Sequence, residues 1–448
     1  MHLALNSYIT KQFNQISTGD WIVLTGKLER LFLFPFKLPR FILAFALVML
    51  IRALRPFVTI RIGAVDIGRI GGTYKAESYL SEKNCGWHQG QYLDWFYFVK
   101  STNHINRQWE KMWRRVLPVC PWSNLVRSVE KLNQWFPHPD VHRIPTPDAV
   151  AMVAEQTKEE HTDYLANRDS EAQSKYNLTL ECVLGSIQPN LSFLDTEKVH
   201  GEKMLRKIGV PLGANFICFH NRDSAFLDDV NNDVNWRYHD FRDSTIQNYL
   251  NAAEEMTQKG YYAIRLGAKV NEKVYSENPK IIDYACNGMR DDFLDIYLSA
   301  KCRFILCSDT GMSFPAEVFK RPLVFVNWCP ITKTPVYVSN GLVIFKKFYL
   351  KNENRYLSFS EIMTLEFGGT AINEIFSKLK LDLIENTADE IRAVTIEMEK
   401  RLNGTWETSD NDEVLQTRFW ALLGLDKVKS PDLRIGAEYL RNNKDLLV

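Results

Sequence analysis

Three groups of residues in the second half of the chain have the types and spacing to hold a phosphorylated ligand. Asn221-Arg222-Asp223 follows an apolar run that ends at His220, Arg265 closes a second run, and Ser308-Asp309-Thr310-Gly311 follows a third, Phe304 to Cys307. Arginine grips a diphosphate through paired N–H bonds to its oxygens. Small hydroxyl residues beside a glycine let the backbone donate to the same oxygens. Glu317, about a turn into the helix predicted after Gly311, is placed to accept from a ribose hydroxyl, and His220 borders the clamp. Asp309 argues against a purely anionic ligand but suits a ribose or sugar hydroxyl. Each group has a structural alternative. Arg222 and Arg265 can pair with Asp223 or Asp283, Ser308 to Gly311 can be a tight turn, and His220 can make a strand-end hydrogen bond.

A second constellation lies some 240 residues earlier, in the loop from Gly63 to Gly72 with its four glycines. Asp66 is the candidate general base, with Arg69 or His88 assisting or replacing it, and Arg69, Gly71 and Gly72 form an acceptor-side loop. Displacing a nucleoside diphosphate from a sugar requires a base on the incoming hydroxyl and positive charge on the leaving group. A base on one domain and a diphosphate clamp on another would divide these jobs across a cleft. Asp66 is equally a helix cap or turn residue, and His88 and His104 sit among aromatics where packing histidines are common. The G-x-G-x-x-G spacing is absent, which counts against a simple NAD site. No P-loop, G-x-S-x-G or H-E-x-x-H pattern is present either, and with no D-x-D read as a metal bridge to the diphosphate, metal-independent chemistry without a cofactor is expected.

These groups need elements that bring them to one edge. Phe57 to Ile62 reads as the first strand of a Rossmann-like domain, followed by helix over 73–81. Trp109, Met112, Trp113 and Val116 fall on one helical face, and Pro118 ends that run. Further on, strands at Asn215–His220, Tyr261–Leu266, Phe304–Cys307 and Leu323–Val326 alternate with helices. Ser244 with Gln247, Asp291 or Asp292, and Thr387 with Glu390 mark helix starts; Gly260 and Gly404 mark ends. Such alternation predicts a parallel sheet, and the C-terminal strand ends share one edge. The expected fold is α/β, with two Rossmann-like domains facing a cleft. The divisions are an N-terminal helical segment over 1–55, an acceptor domain over 56–205, a donor domain over 206–345 and a helical extension over 346–448. The last twenty residues read as polar and peripheral.

A chain of 448 residues, 45% apolar and 24% charged, has the material for two or three cores. Its net charge of +1 gives no electrostatic case for nucleic acid. Eight cysteines without a C-x-x-C pair fit a reducing cytoplasm better than a disulfide framework or a zinc site. Phe41 to Ile51 are eleven apolar residues with basic flanks, Lys37 and Arg40 before and Arg52 and Arg55 after. A spanning helix needs roughly 20. A helix lying in the membrane surface fits residues 31–55, with a buried core helix as the alternative.

The chain resembles a group of bacterial glycosyltransferases from surface-carbohydrate gene clusters, over about Phe57 to Trp420. The motifs that carry the resemblance are Arg69-Ile-Gly71 with Glu77 and Tyr79-Leu80, Asn106 through Arg115, Phe219 through Asp223, and Arg265-Leu-Gly267. It continues through Ile282 to Ala285, Ser308 to Gly311 with Pro315 and Glu317, and Glu385-Asn-Thr-x-x-Glu-Ile391. The resemblance implies the two-Rossmann-domain GT-B fold and transfer of a sugar from a nucleotide donor held mainly by the C-terminal domain. The acceptor would be a surface polysaccharide or a lipid-linked glycan, on the inner face of the bacterial inner membrane. A nucleotide-sugar epimerase on the same scaffold and a non-catalytic envelope-assembly scaffold are the alternatives. The family pattern has His-Leu after Arg-Ile-Gly, whereas this chain has Gly72-Thr73, so the role of base falls to Asp66 or His88.

Overall fold

The computed structural model describes residues 34–84, 86, 90–101, 105–145, 188–230, 237–336, 338–365, 372–424 and 432–448. In chain order the first elements are α1 (Phe34–Ala53), β1 (Thr59–Asp66), α2 (Tyr74–Asn84), β2 (Tyr92–Val99), α3 (Arg107–Val116) and α4 (Ser123–Asn133). There follow α5 (Asp195–Lys207), β3 (Phe216–His220), α6 (Ala225–Val230), α7 (Leu250–Gln258), β4 (Tyr262–Arg265), β5 (Ile281–Asp283) and α8 (Asp292–Lys301). Next come β6 (Ile305–Cys307), α9 (Phe314–Val318), β7 (Leu323–Trp328), β8 (Gly341–Phe345), β9 (Lys347–Leu350) and β10 (Arg355–Tyr356). The chain ends with α10 (Phe359–Thr364), α11 (Ile372–Leu379), β11 (Leu381–Ile384), α12 (Ala388–Leu402), α13 (Asp410–Leu423), β12 (Leu433–Ile435) and α14 (Ala437–Asn442).

Two compact units result. The first comprises residues 1–66, 88–99 and 117–145. In it β1 and β2 pair in parallel from Thr59↔Tyr92 to Asp66↔Val99, and single bridges, Ile62↔Arg143 and Phe96↔Val119, extend the pair. Ala44, Val48 and Ile51 of α1, Val126 and Val129 of α4, and Ile60, Ile62 and Tyr97 of the strands form its core. Arg61 and Asp94, neighbours in register, make a bidentate ion pair at 2.6 and 2.7 Å. The full second Rossmann-like sheet expected here is reduced, among the described residues, to this pair of strands.

The second unit, residues 67–87, 100–116 and 146–448, includes α2 and α3. Polar ties hold both helices in it: Asn190 Nδ2 donates to Ser81 Oγ at 3.3 Å, Asn106 Nδ2 to the Asp292 carbonyl at 2.9 Å and Arg115 Nη1 to Glu197 at 2.8 Å. Its sheet has seven parallel strands in the order β12-β8-β7-β6-β3-β4-β5. Every residue of β3, β6, β7 and β8 is buried, as in a parallel sheet with helices on both faces. The chain starts in the middle, at β3, runs outward through β4 and β5, then returns to β6 on the other side. The order therefore reverses between β3 and β6, where His220 and Cys307 are partners in register. Loops leaving these two strands diverge and open a crevice at their carboxyl ends.

Local signals mostly hold. Asp291 caps α8 by accepting from Leu294 N at 2.7 Å, and Thr387 and Glu390 form the expected capping box on α12. Ser244 and Gln247 do not. Ser244 is buried with its hydroxyl 3.1 Å from that of Tyr249, and Gln247 donates to the Lys273 carbonyl, so a 3-10 turn precedes α7. The region after 345 is less helical than expected. It contributes an antiparallel sheet, β10-β9-β11, and β12 completes the main sheet beside β8. The last twenty residues are thus not peripheral: Leu433, Ile435, Tyr439 and Leu440 are core. A three-residue strand shows no period of its own, and only its partner β8 defines it.

Candidate active site

A side-chain hydrogen bond ties the two loops at the reversal point, beside the backbone bond from Ser308 N to the His220 carbonyl at 3.3 Å. Arg222 N, just past β3, donates to Ser308 Oγ, just past β6, at 2.8 Å. Beyond Ser308, Thr310 Oγ1 caps the following 3-10 turn by accepting from Met312 N at 2.9 Å. Ser313 Oγ lies 2.9 Å from both the Thr310 carbonyl and Glu317 Oε1 and is placed to donate to either. The helix expected after Gly311 is only the five residues of α9 behind that turn, too short for its dipole to favour a phosphate.

The three cationic and imidazole groups predicted for the donor site, Arg265, Arg222 and His220, each have a partner within the fold. Arg265 is fully exposed to nothing: its relative accessibility is 0%, and Nη1 donates to the Glu272 carbonyl at 3.0 Å and to Asp283 at 3.2 Å. The Arg265–Asp283 pair is the structural alternative set out above, and it lines neither cavity described below. Arg222 forms an ion pair with Asp243, a partner not foreseen. Burial, reinforced by Arg242, lowers its guanidinium to about 10, and it stays a cation at neutral pH. His220 Nδ1 is 2.9 Å from the Leu266 carbonyl, which requires the tautomer with the proton on Nδ1. Burial lowers this imidazole to about 4, so it is neutral near pH 7. Arg242, absent from the expected set, pairs with Asp309 at 3.1 Å.

One cavity lies against the loop after β6 and a second against the loop after β3. The first, about 260 Å³, is lined by Gly71, Tyr74, Glu77 and Ser78 and by Asp309, Thr310, Gly311, Ser313, Glu317, Lys320 and Trp328 among others. Gly71 and Gly311 face each other here. A Cβ on Gly71 would lie 3.7 Å from Gly311 Cα, an ordinary van der Waals contact. Glu317 is raised to about 7, by burial first and then by the charges of Asp309 and Glu77, against a hydrogen bond from Ser313. Glu77 is also raised by burial, and Lys320 at 3.6 Å opposes the rise. Two carboxyls and an ammonium in one enclosure can hold a ligand rich in hydroxyls, and Glu317 can do so as acid or as base.

The second cavity, about 430 Å³, lies over the carboxyl ends of β3, β4 and β8. Asp223, Asp240, Asp243, Glu272 and Glu385 line it with Lys346, Asn221, Ser244 and Asn271. Asn221 Nδ2 donates to the Ser244 carbonyl at 2.5 Å, while its buried Oδ1 has no partner among the described residues. Five carboxylates make this enclosure a place for hydroxyl or amine donors rather than for bare phosphate. Among the described residues, no group of three or more His, Cys, Asp or Glu is arranged to hold a metal ion. The sequence does contain one Asp-x-Asp, Asp410-Asn411-Asp412, but Asp412 completes the capping box of α13 by accepting from Ser409 N at 3.0 Å and pairs with Arg441 at 2.7 Å.

The structure thus gathers Gly71, Asp309, Thr310, Gly311 and Glu317 around one cavity, and His220, Arg222 and Ser308 at the reversal point. Gly72 shares the 3-10 turn Ile70–Thr73, which exposed Arg69 precedes. Asp66 ends β1 in the first unit, and His88 lies outside the described residues, as does His104. Glu77 entered the sequence reading only as part of a motif. Lys320, Arg242 and Asp243 carried no local signal, since each acts through a partner distant in sequence.

The chain matches no family model and no curated protein. Solved structures similar to it include E. coli ADP-heptose LPS heptosyltransferase II, with 12% identity over 71% of this chain and 98% of that one, at a TM-score of 0.36. A glycosyl transferase family 9 protein from Veillonella parvula is similar at 8% identity over 77% and 97%, also at 0.36. A UDP-N-acetylglucosamine 2-epimerase is similar at 10% identity over 79% and 98%, at 0.27.

Proposed function

We propose that this protein is a metal-independent glycosyltransferase of the GT-B type. It moves a sugar from a nucleotide donor to a surface-polysaccharide or lipid-linked acceptor. One juxtaposition carries the reading: at the reversal point of a seven-stranded parallel sheet the loop after β6 lines one acidic cavity, and the loop after β3, hydrogen-bonded to it through Ser308, lines a second. Ligands of open α/β sheets bind in this place. A nucleotide sugar has hydroxyl-rich groups at both ends and a diphosphate in the middle. In this reading the larger acidic cavity takes the ribose side and the smaller takes the glycosyl group. Arg222 and Arg242 flank the diphosphate, and Arg242 exchanges Asp309 for phosphate. Charge developing on the leaving diphosphate is stabilised by these two cations. Asp66 or His88 removes the proton from the acceptor hydroxyl as its oxygen attacks the anomeric carbon.

Thermal unfolding with UDP, GDP, ADP and CMP tests the donor site. The matching nucleotide should raise the midpoint by a few degrees at saturation, and Arg242→Gln should weaken its binding by about tenfold. If none of the four stabilises the wild-type chain, the donor assignment is wrong. Incubation of the matching nucleotide sugar alone separates the enzyme classes. Slow hydrolysis fits a transferase, whereas conversion to a stereoisomer identifies an epimerase.

A further inference from the structure

α1 has two apolar faces, and among the described residues only one of them is covered. Ala44, Val48 and Ile51 are buried in the core of the first unit. On another face, Leu38, Ile42, Phe45 and Met49 recur at spacings of four, three and four residues and are 41% to 62% exposed. That is the period of a continuous helical stripe. Two indoles flank α4, the helix on which α1 packs: Trp122 at its N-cap and Trp135 beyond its end, 70% and 79% exposed. Phe57, just past α1, is exposed as well. An apolar surface of this kind on one helix pair calls for a partner.

Charge selects the partner. From Arg30 to Val65 the sequence holds six cations (Arg30, Lys37, Arg40, Arg52, Arg55 and Arg61) and no carboxylate. Arg61 is committed to Asp94, and Arg52 donates to Asn133 at 2.7 Å, but Arg55 is exposed beside Phe57. A second copy of the chain would bring the same acid-free segment against itself, with like charges opposed. No helix among the described residues is long and apolar enough to cross a membrane. A helix of 20 residues, about 30 Å long, can instead lie along a surface. We infer that α1 docks on an anionic phospholipid bilayer. The stripe from Leu38 to Met49 enters the headgroup–acyl boundary, and exposed indoles sit at headgroup depth. The basic flanks meet lipid phosphates. This docking does not depend on the transfer reaction proposed above.

Co-sedimentation of the full chain with vesicles tests it. Vesicles of phosphatidylcholine mixed equally with phosphatidylglycerol should carry the protein down. Pure phosphatidylcholine vesicles should carry much less, and added salt should release it. The doubly substituted Ile42→Ser, Phe45→Ser chain should partition about tenfold less or weaker still, with an unfolding midpoint lowered only slightly, since Ile42 is exposed and Phe45 gives up one ring contact, with Phe136. Equal binding by the wild type and that variant, or equal binding to both vesicle types, would overturn the proposal. So would a dimer in light scattering that the double substitution dissociates, since the stripe would then serve a second copy. Nucleotide stabilisation is read separately on the same variant and should be retained, so failure of either proposal is visible by itself.

Discussion

At the scale of single residues, the chemistry of the site is set by what is buried beside what. Glu317 shares its cavity with Glu77, and burial raises both carboxyls above their ordinary range. With Glu317 at about 7 against 4.5 when unfolded, the folded chain keeps a proton that the unfolded chain releases in between. Its contribution to stability is therefore greatest below about 4.5 and is lost as pH rises through about 7. Glu317→Gln retains an acceptor for Ser313 and carries no charge. It should make the chain more stable than wild type at about pH 8, by on the order of 2 kcal/mol, with the difference vanishing near pH 4. Chemical denaturation at several pH values measures this. Arg265 poses the opposite case. Its guanidinium neutralises Asp283 within the fold, so Arg265→Ala should cost about 3–5 kcal/mol by leaving that carboxylate without its partner. Urea unfolding reads this cost, and loss of nucleotide binding in that variant would report unfolding rather than a lost phosphate contact.

At the scale of elements, the reversal between β3 and β6 matters most, because two diverging loops must be held in register there. Ser308 does this through Arg222 N. Ser308→Ala would leave that buried N–H without its partner, at about 1–3 kcal/mol. The unfolding midpoint should fall accordingly, with the sheet itself retained in circular dichroism. Elements whose order comes from local periodicity were legible beforehand. The face of α3, with Trp109, Met112 and Trp113 buried, and the caps of α8 and α12 are of this kind. Ser244 was misread because a capping hydroxyl and a buried one look identical in sequence. Its partner Tyr249 removes it from the cap.

At the scale of the whole molecule, the C-terminus belongs to the sheet that carries the site. Removing residues 425–448 would strip β12 and α14 from beside β8 and expose its edge. Leu433, Ile435, Tyr439 and Leu440 are each buried, and at about 1.5–3 kcal/mol apiece their loss approaches the whole stability of a domain. The truncated chain should accumulate in the insoluble fraction on expression, whereas removing only Val448, whose side chain is exposed, should not cause this.

The sequence by itself determined the alternation of strands and helices, the positions of the loops after β3, β4 and β6, and the basic, acid-free character of α1. Periodicity, turn residues and charge are local properties, and a single chain displays them. Only the tertiary structure decided which charged groups remain open to a ligand. Arg265 was withdrawn into a buried pair with Asp283, while Glu77 and Glu317 came together in one enclosure although 240 positions separate them. Ion pairing and burial depend on distances through space, which residue order does not specify. The loop from Ser308 to Gly311 was therefore readable as a ligand loop, while the acidity of its surroundings was not.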